Sequence, residues 1–237
     1  MKFSVIVADP PWVFADQLSM DDTPRGAAAN YPLLDTKELC KLKVKELADP
    51  DGCILVLWSI GSLLDDAMDL MKAWGFKQKQ IFVWQKTKQQ PLENLKKAIR
   101  KHKKLTGAAL IQKVEEEIDA FDLNGTSAFG MGRLFRQTHE VCLVGINSTK
   151  IYKQLKDKSQ RSVSIQPATK HSKKPEDLQD RLDQMFPNKD LNRLEMFARR
   201  VRPGWICVGN EICNGEDIRD SIDRLIAGNV QSPPPKR

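Results

Sequence analysis

Apolar residues along this chain fall into short uncharged runs and longer stretches with helical spacing, and the two patterns alternate. Phe3 to Ala8 is the first run, with Val5, Ile6 and Val7 at its centre. A run of this kind predicts a strand buried on both faces of a sheet. It stops at Asp9-Pro10-Pro11-Trp12. Two prolines there remove two backbone donors and fix two φ angles, so the strand cannot continue and the turn is stiff. Cys53 to Trp58, after the turn Asp49-Pro50-Asp51-Gly52, predicts a second buried strand, and Ile81 to Trp84 a third. Between them, Asp35-Thr36-Lys37-Glu38 marks a helix start. Ser62 to Trp74 places Leu63, Leu64, Ala67, Leu70, Met71 and Trp74 on one side of a helix ended by Gly75. Alternation of buried strand and amphipathic helix predicts an α/β fold, a parallel-rich sheet covered on both faces.

The second half repeats the rhythm after an interruption. Val141 to Gly145, Leu194 to Arg199 and Trp205 to Val208 read as strands, and Pro175 opens a helix with Leu178, Leu182, Met185 and Phe186 on one face. Residues 86–127 break the pattern. Leu92, Leu95 and Ile99, then Leu110, Ile111, Val114, Ile118 and Phe121, predict two helices separated near Thr106-Gly107. We read one domain over 1–237 with 86–127 as a basic helical insertion and 229–237 as a disordered tail. Residues 13–32 carry no periodicity. A loop of that length is functional or mobile; because it leaves the proline turn directly, it is read as a gate, with Tyr31 a candidate contact.

Charge sharpens the picture of the insertion. The chain has 38 Lys+Arg against 31 Asp+Glu, a net +7, which suits a polyanionic partner. Between Lys86 and Lys113 there are nine Lys or Arg and one acid, Glu93. Charge runs are usually solvated faces, but this one is one-signed, and it makes Lys97, Arg100, Lys101 and Lys104 candidate phosphate contacts. The five cysteines are scattered without a Cys-x-x-Cys pair, and the three histidines lack ligand spacing. Free thiols and no metal site are expected. With a strand entered by residue 3 and no long apolar run, no signal peptide or membrane span is expected, and a soluble intracellular protein is.

The chemistry readable from the residues centres on the proline turn. A carboxylate there is held at the carboxyl end of a buried strand, the edge where open α/β sheets place ligands. Asp9 and the Pro10 carbonyl together offer two acceptors to an exocyclic amine, and they would stabilise positive charge developing on its nitrogen. Trp12 is a candidate stacking face. Gly209-Asn210-Glu211 ends a strand with an amide and a carboxylate, a pairing suited to vicinal ribose hydroxyls. A lysine just before a helix N-terminus suits a bound anion. His139 and Glu140 are adjacent on a strand and point to opposite faces, so substrate positioning by His139 is expected rather than a paired acid and base.

Asp9-Pro10-Pro11-Trp12 resembles the catalytic motif of the adenine-N6 methyltransferases related to the eukaryotic messenger-RNA adenosine methyltransferases. The resemblance continues in order through Gly52-Cys-Ile-Leu-Val-Leu-Trp58, Val83-Trp-Gln-Lys-Thr87, Gly130-Met-Gly132, His139-Glu140, Leu143-Val-Gly145, His171-Ser-Lys-Lys-Pro175, Leu194-Glu-Met-Phe-Ala-Arg199, and Gly204-Trp205 leading to Gly209-Asn-Glu211. It implies a Rossmann-like class I methyltransferase of permuted motif order, with a mixed, mostly parallel sheet. It also implies S-adenosylmethionine as cofactor. Catalysis would fall to Asp9, Pro10, Pro11 and Trp12. Cofactor binding would fall to Asp9, Glu195, Arg199, Asn210 and Glu211, with Lys174 on the methionine carboxylate and Lys173 as the alternative register. Trp12, Tyr31, Arg133, His139 and the basic helix would meet the nucleic acid. The expected reaction is methylation of adenine N6 in DNA by a monomer or homodimer. The alternatives are RNA as substrate and a catalytically silent scaffold. One departure from the family pattern is Arg199-Arg200-Val-Arg-Pro203, which lacks the longer polar linker of eukaryotic relatives.

Overall fold

The computed structural model describes residues 1–13, 34–88, 91–121, 126–128, 130, 134–168, 173–212 and 215–229. Tyr31, Arg133, the loop 14–33 and the tail 230–237 lie outside the described residues. In chain order the elements begin β1 (Val5–Ala8), α1 (Thr36–Cys40), α2 (Val44–Leu47), β2 (Ile54–Ser59), α3 (Leu64–Ala73) and β3 (Lys77–Thr87). There follow α4 (Pro91–Arg100), α5 (Gly107–Asp119), β4 (His139–Ile146), β5 (Val163–Pro167), α6 (Asp177–Met185), β6 (Arg193–Met196), β7 (Ile206–Val208) and α7 (Ile218–Ile226). The strands hydrogen-bond in the order β5-β3-β4-β2-β1-β6-β7.

The chain divides into two compact units. The first comprises Met1–Phe82, Val141–Ser162 and Asp177–Arg237, and the second Val83–Glu140 and Val163–Glu176.

In the first unit β1 is buried throughout, because it runs parallel between β2 (Val5↔Ile54) and β6 (Val5↔Arg193). That placement explains a strand with no polar alternation. β7 extends the parallel set beyond β6, whereas β4 is antiparallel to β2, so the sheet is mixed. Alternate residues face opposite sides. Ile6, Ala8, Leu55, Leu57, Leu143, Leu194 and Met196 share a core with Leu39, Leu70, Met71 and Trp74, and with Ile218, Ile222 and Leu225 of α7. On the other face, Ile54, Val56, Phe82 and Val144 line a crevice with Leu178, Leu182 and Met185 of α6. Both faces thus carry helices. Asp35 caps α1 with a capping box, its carboxylate accepting the Glu38 N–H at 2.7 Å.

Several boundaries differ from the expectations. β3 begins at Lys77 rather than Ile81, because its first residues, Lys-Gln-Lys-Gln, are exposed and give no apolar signal. The helix after Pro175 begins at Asp177. The strand expected to reach Arg199 ends at Met196, because Phe197 turns into the left-handed region at φ 58°. β5 and α7 were not expected.

The second unit pairs the end of β3 with β5 in parallel, from Val83↔Val163 to Thr87↔Pro167. It contains α4 and α5, which pack together, yet α5 buries no residue. Cys53, Cys142 and Cys207 are buried free thiols and Cys40 is half-buried. Burial pushes the Cys207 thiol up to about 11. No helix of the described residues is long and apolar enough to cross a membrane, and no group of three metal-binding side chains occurs among them.

Candidate active site

The strand order brings the carboxyl ends of β1, β6 and β7 side by side, and their continuations wall one cleft. Asp9 follows β1, its N–H pointing to the Met196 carbonyl of β6 at 3.5 Å. The proline turn is then closed from within and from outside. Trp12 N–H donates to the Pro10 carbonyl at 2.9 Å, and Leu34 N–H donates to the Pro11 carbonyl at 3.1 Å. The Trp12 indole is 5% exposed and donates to the Trp58 carbonyl of β2 at 3.0 Å. The indole expected as a stacking face thus braces the turn through the Trp58 carbonyl. Asp9 and Pro11 face the cleft.

The opposite wall depends on an unusual backbone. Phe197 is the one non-glycine residue with positive φ among those described, a conformation that costs roughly 1–3 kcal/mol. The turn it makes is pinned by Ala198 N–H donating to the Val208 carbonyl at 2.9 Å. Gly209 fits there because it lacks a side chain; a Cβ on it would lie 2.5 Å from the Ala198 oxygen and 2.7 Å from its nitrogen. The chain leaves this crossing with Asn210 and Glu211 exposed at the cleft. Arg199 contributes a guanidinium 3.3 Å from the Glu211 carboxylate. The start of α7 completes the lining with Asp217, Ile218 and Arg219. Asp217 caps that helix through the Arg219 N–H at 2.8 Å, and the Arg219 guanidinium donates to Glu38 at 3.2 Å. The cleft therefore presents both carboxylates and guanidinium groups, with a helix N-terminus among them.

The second unit holds a charged cluster. Glu140 on β4 accepts from Lys86 of β3 at 2.5 Å and pairs with Lys174 at 3.2 Å. All three side chains are at most about a fifth exposed. Burial pushes the Glu140 carboxyl up, but attraction to Lys174 and Lys86 and their hydrogen bonds outweighs it, and the group titrates below the usual carboxylate range. Lys173 is exposed and Lys174 is half-buried. His139 is exposed beside half-buried Glu140. Lys97, Arg100, Lys101 and Lys104 are exposed along α4 and the turn after it.

A family model supplies the remaining observation: MT-A70 matches residues 3–116 and 113–211. The chain belongs to the MT-A70 family. These are S-adenosylmethionine-dependent methyltransferases acting on adenine N6. The chain is similar to the type II methyltransferase M.MunI of Mycoplasma sp, 26% identical over 226 residues that cover 89% of this chain and 78% of that protein. It is 26% identical to the N(6)-adenosine-methyltransferase MT-A70-like protein of Drosophila melanogaster, over 98% of this chain and 31% of the relative. For the human N(6)-adenosine-methyltransferase catalytic subunit METTL3 the figures are 25%, 89% and 28%. The chain thus spans under a third of the length of these two eukaryotic proteins.

The cleft of this MT-A70 protein fits the family's cofactor by the chemistry of its groups. Asn210 and Glu211 offer a donor and acceptors for vicinal hydroxyls, Arg199 offers a cation, and the glycine crossing leaves the backbone bare at the wall. Of the residues singled out in the sequence, Asp9, Pro11, Arg199, Asn210 and Glu211 line this one cleft. Pro10 is buried and is not among the lining residues. Glu195 does not line it; its carboxylate lies on β6, 3.8 Å from Arg200. Phe197, Asp217, Ile218 and Arg219 line it and were missed. The signal for the last three was present: Asp217 before apolar residues at 218, 222 and 225 is a capped amphipathic helix.

Proposed function

We propose that this protein transfers a methyl group from S-adenosylmethionine to the N6 amine of adenine in DNA. The observation that carries the reading is the cleft itself, with Asp9 on its β1 wall and Asn210 and Glu211 on its β7 wall. Bound S-adenosylmethionine supplies an electrophilic methyl group on sulfur. Asn210, Glu211 and Arg199 bind the cofactor's polar groups and fix its orientation. Asp9 accepts an N–H from the amine and stabilises the positive charge that grows on nitrogen as the N–C bond forms and the C–S bond breaks. The Pro10 carbonyl, already accepting from Trp12, keeps a second lone pair for the other N–H. The buried turn holds both acceptors in place before substrate arrives, so alignment contributes much of the acceleration. The surplus proton leaves nitrogen for the Asp9 carboxylate or water.

Support for DNA comes from the Mycoplasma relative, named a type II methyltransferase. A second reading, RNA, is favoured by the relatives named N(6)-adenosine-methyltransferases. Incubation with S-adenosylmethionine and either DNA or RNA, followed by mass spectrometry of the nucleosides, separates them. N6-methyldeoxyadenosine is expected. N6-methyladenosine alone would replace DNA with RNA, and neither product would sink both readings.

A further inference from the structure

Charge and apolar exposure coincide in the second unit. It carries 14 Lys+Arg against 8 Asp+Glu, so +6 of the chain's net +7 belongs to it. The same unit presents the two most exposed large apolar side chains among the described residues, and they are adjacent. Leu134 is 93% and Phe135 88% exposed, whereas the next, Ile165, is 62%. The loop bearing them is held at its base. Gly130 N–H donates to the Gln137 carbonyl at 2.9 Å, and Lys86 N–H donates to the Thr138 carbonyl at 2.8 Å. The residues Gly130, Gln137 and Thr138 on either side of the pair are therefore tied down, and Arg136 follows it in sequence.

We infer that Leu134 and Phe135 form a wedge that inserts between stacked bases of duplex DNA. The inference rests on the reading of the protein as a DNA methyltransferase. Two side chains cover far less than the roughly 800 Å² that each partner gives to a stable protein interface. They match the size of a base step, where apolar wedges unstack neighbouring bases. The unit's net positive charge suits phosphates on either side of an opened step. A methyltransferase acting on duplex has a use for such a wedge, since the amine must leave the stack before it can react.

The test compares the full chain with a Leu134→Ala/Phe135→Ala variant on random-sequence duplex DNA containing 2-aminopurine, whose fluorescence rises on unstacking. The wild type should raise the fluorescence. The double variant should not, and it should bind the duplex roughly tenfold more weakly, the scale of removing one base–side chain stack. Its salt dependence and its affinity for S-adenosylmethionine should be unchanged. Leu134→Ser alone, at a position almost fully in solvent, provides a second variant of secure fold and should show a partial effect. A wild type that leaves the bases stacked, or variants that unstack them as the wild type does, would overturn the wedge. Unstacking without methyl transfer to any DNA would sink the proposed activity and leave the wedge standing.

Discussion

Gly209 and Ala198 approach so closely that no side chain fits between them, with only 2.5 Å from an added Cβ to the Ala198 carbonyl oxygen. The obstacle is backbone, which cannot swing aside, and that backbone is the turn set by Phe197 and pinned to Val208. Gly209→Ala must therefore push apart the walls carrying Arg199 and Asn210. Overpacking of this kind costs about 1–3 kcal/mol. Thermal unfolding should show a lowered Tm and calorimetry a weakened S-adenosylmethionine affinity. Gly61→Ala, where a Cβ meets nothing within 4 Å, is the control and should change neither. Equal behaviour of the two variants would show that the crossing has no bearing on the site.

Asp9 offers a sharper test of mechanism. Asp9→Ala keeps the proline turn, whose closing bonds are made by backbone groups of Pro10, Pro11, Trp12 and Leu34. It removes one preorganised acceptor, which costs about 100-fold or more in rate. At saturating cofactor the variant should unfold at a temperature close to wild type and transfer methyl groups at least about 100-fold more slowly. Activity within a few-fold of wild type would remove Asp9 from the chemistry.

The Lys86–Glu140–Lys174 cluster predicts a pH dependence. Glu140 is depressed when folded, by two lysines that overcome its burial. A depressed carboxyl contributes stability that is present above its unfolded value of about 4.3 and is lost as pH falls through the lower folded value. Glu140→Gln should lower stability at pH 7 by about 1–3 kcal/mol, the scale of leaving buried polar partners unsatisfied. The gap to wild type should close as pH falls below about 4.3. Urea titrations of both proteins across that range measure it, and a gap independent of pH would mean the carboxylate's charge contributes nothing.

The sequence made legible what burial imprints on it. β1 and β2 are sandwiched between neighbours and so read as uninterrupted apolar runs, and Asp9 follows because two prolines end the first of them. Elements whose pattern is mixed escaped. β3 opens with four exposed polar residues, and β5 alternates over only five residues with Val163 and Ile165 on the solvent side and Ser164 buried, the reverse of a core-facing strand. The bond made by Trp12 was illegible for another reason. An aromatic after a catalytic turn suggests a stacking face, but only the fold reveals that the Trp58 carbonyl is there to receive its N–H. Phe197 could not be anticipated at all, since its conformation is imposed by the Ala198–Val208 bond and the space Gly209 vacates, not by its own propensity.

The basic helix carries the last prediction. Lys97, Arg100, Lys101 and Lys104 are spaced three, four and seven residues from the first, so they fall on one side of α4 and the turn that continues it. All four are exposed. Lys96, by contrast, lies 2.7 Å from Glu93, an exposed pair of little energetic weight. If the four cations lie along phosphates, changing them to Gln should weaken binding to every DNA sequence alike. The slope of log affinity against log salt should shrink by roughly 0.9 for each duplex phosphate no longer neutralised. Relative preference among sequences should hold, because phosphate contacts position the protein while base edges specify the site. Cofactor affinity should also hold, since these residues are not among those that line the cleft. A salt titration of DNA binding for wild type and the fourfold variant gives the measurement. Coincident slopes would reduce the helix to a solvated face and leave the second unit's charge without a polyanionic partner.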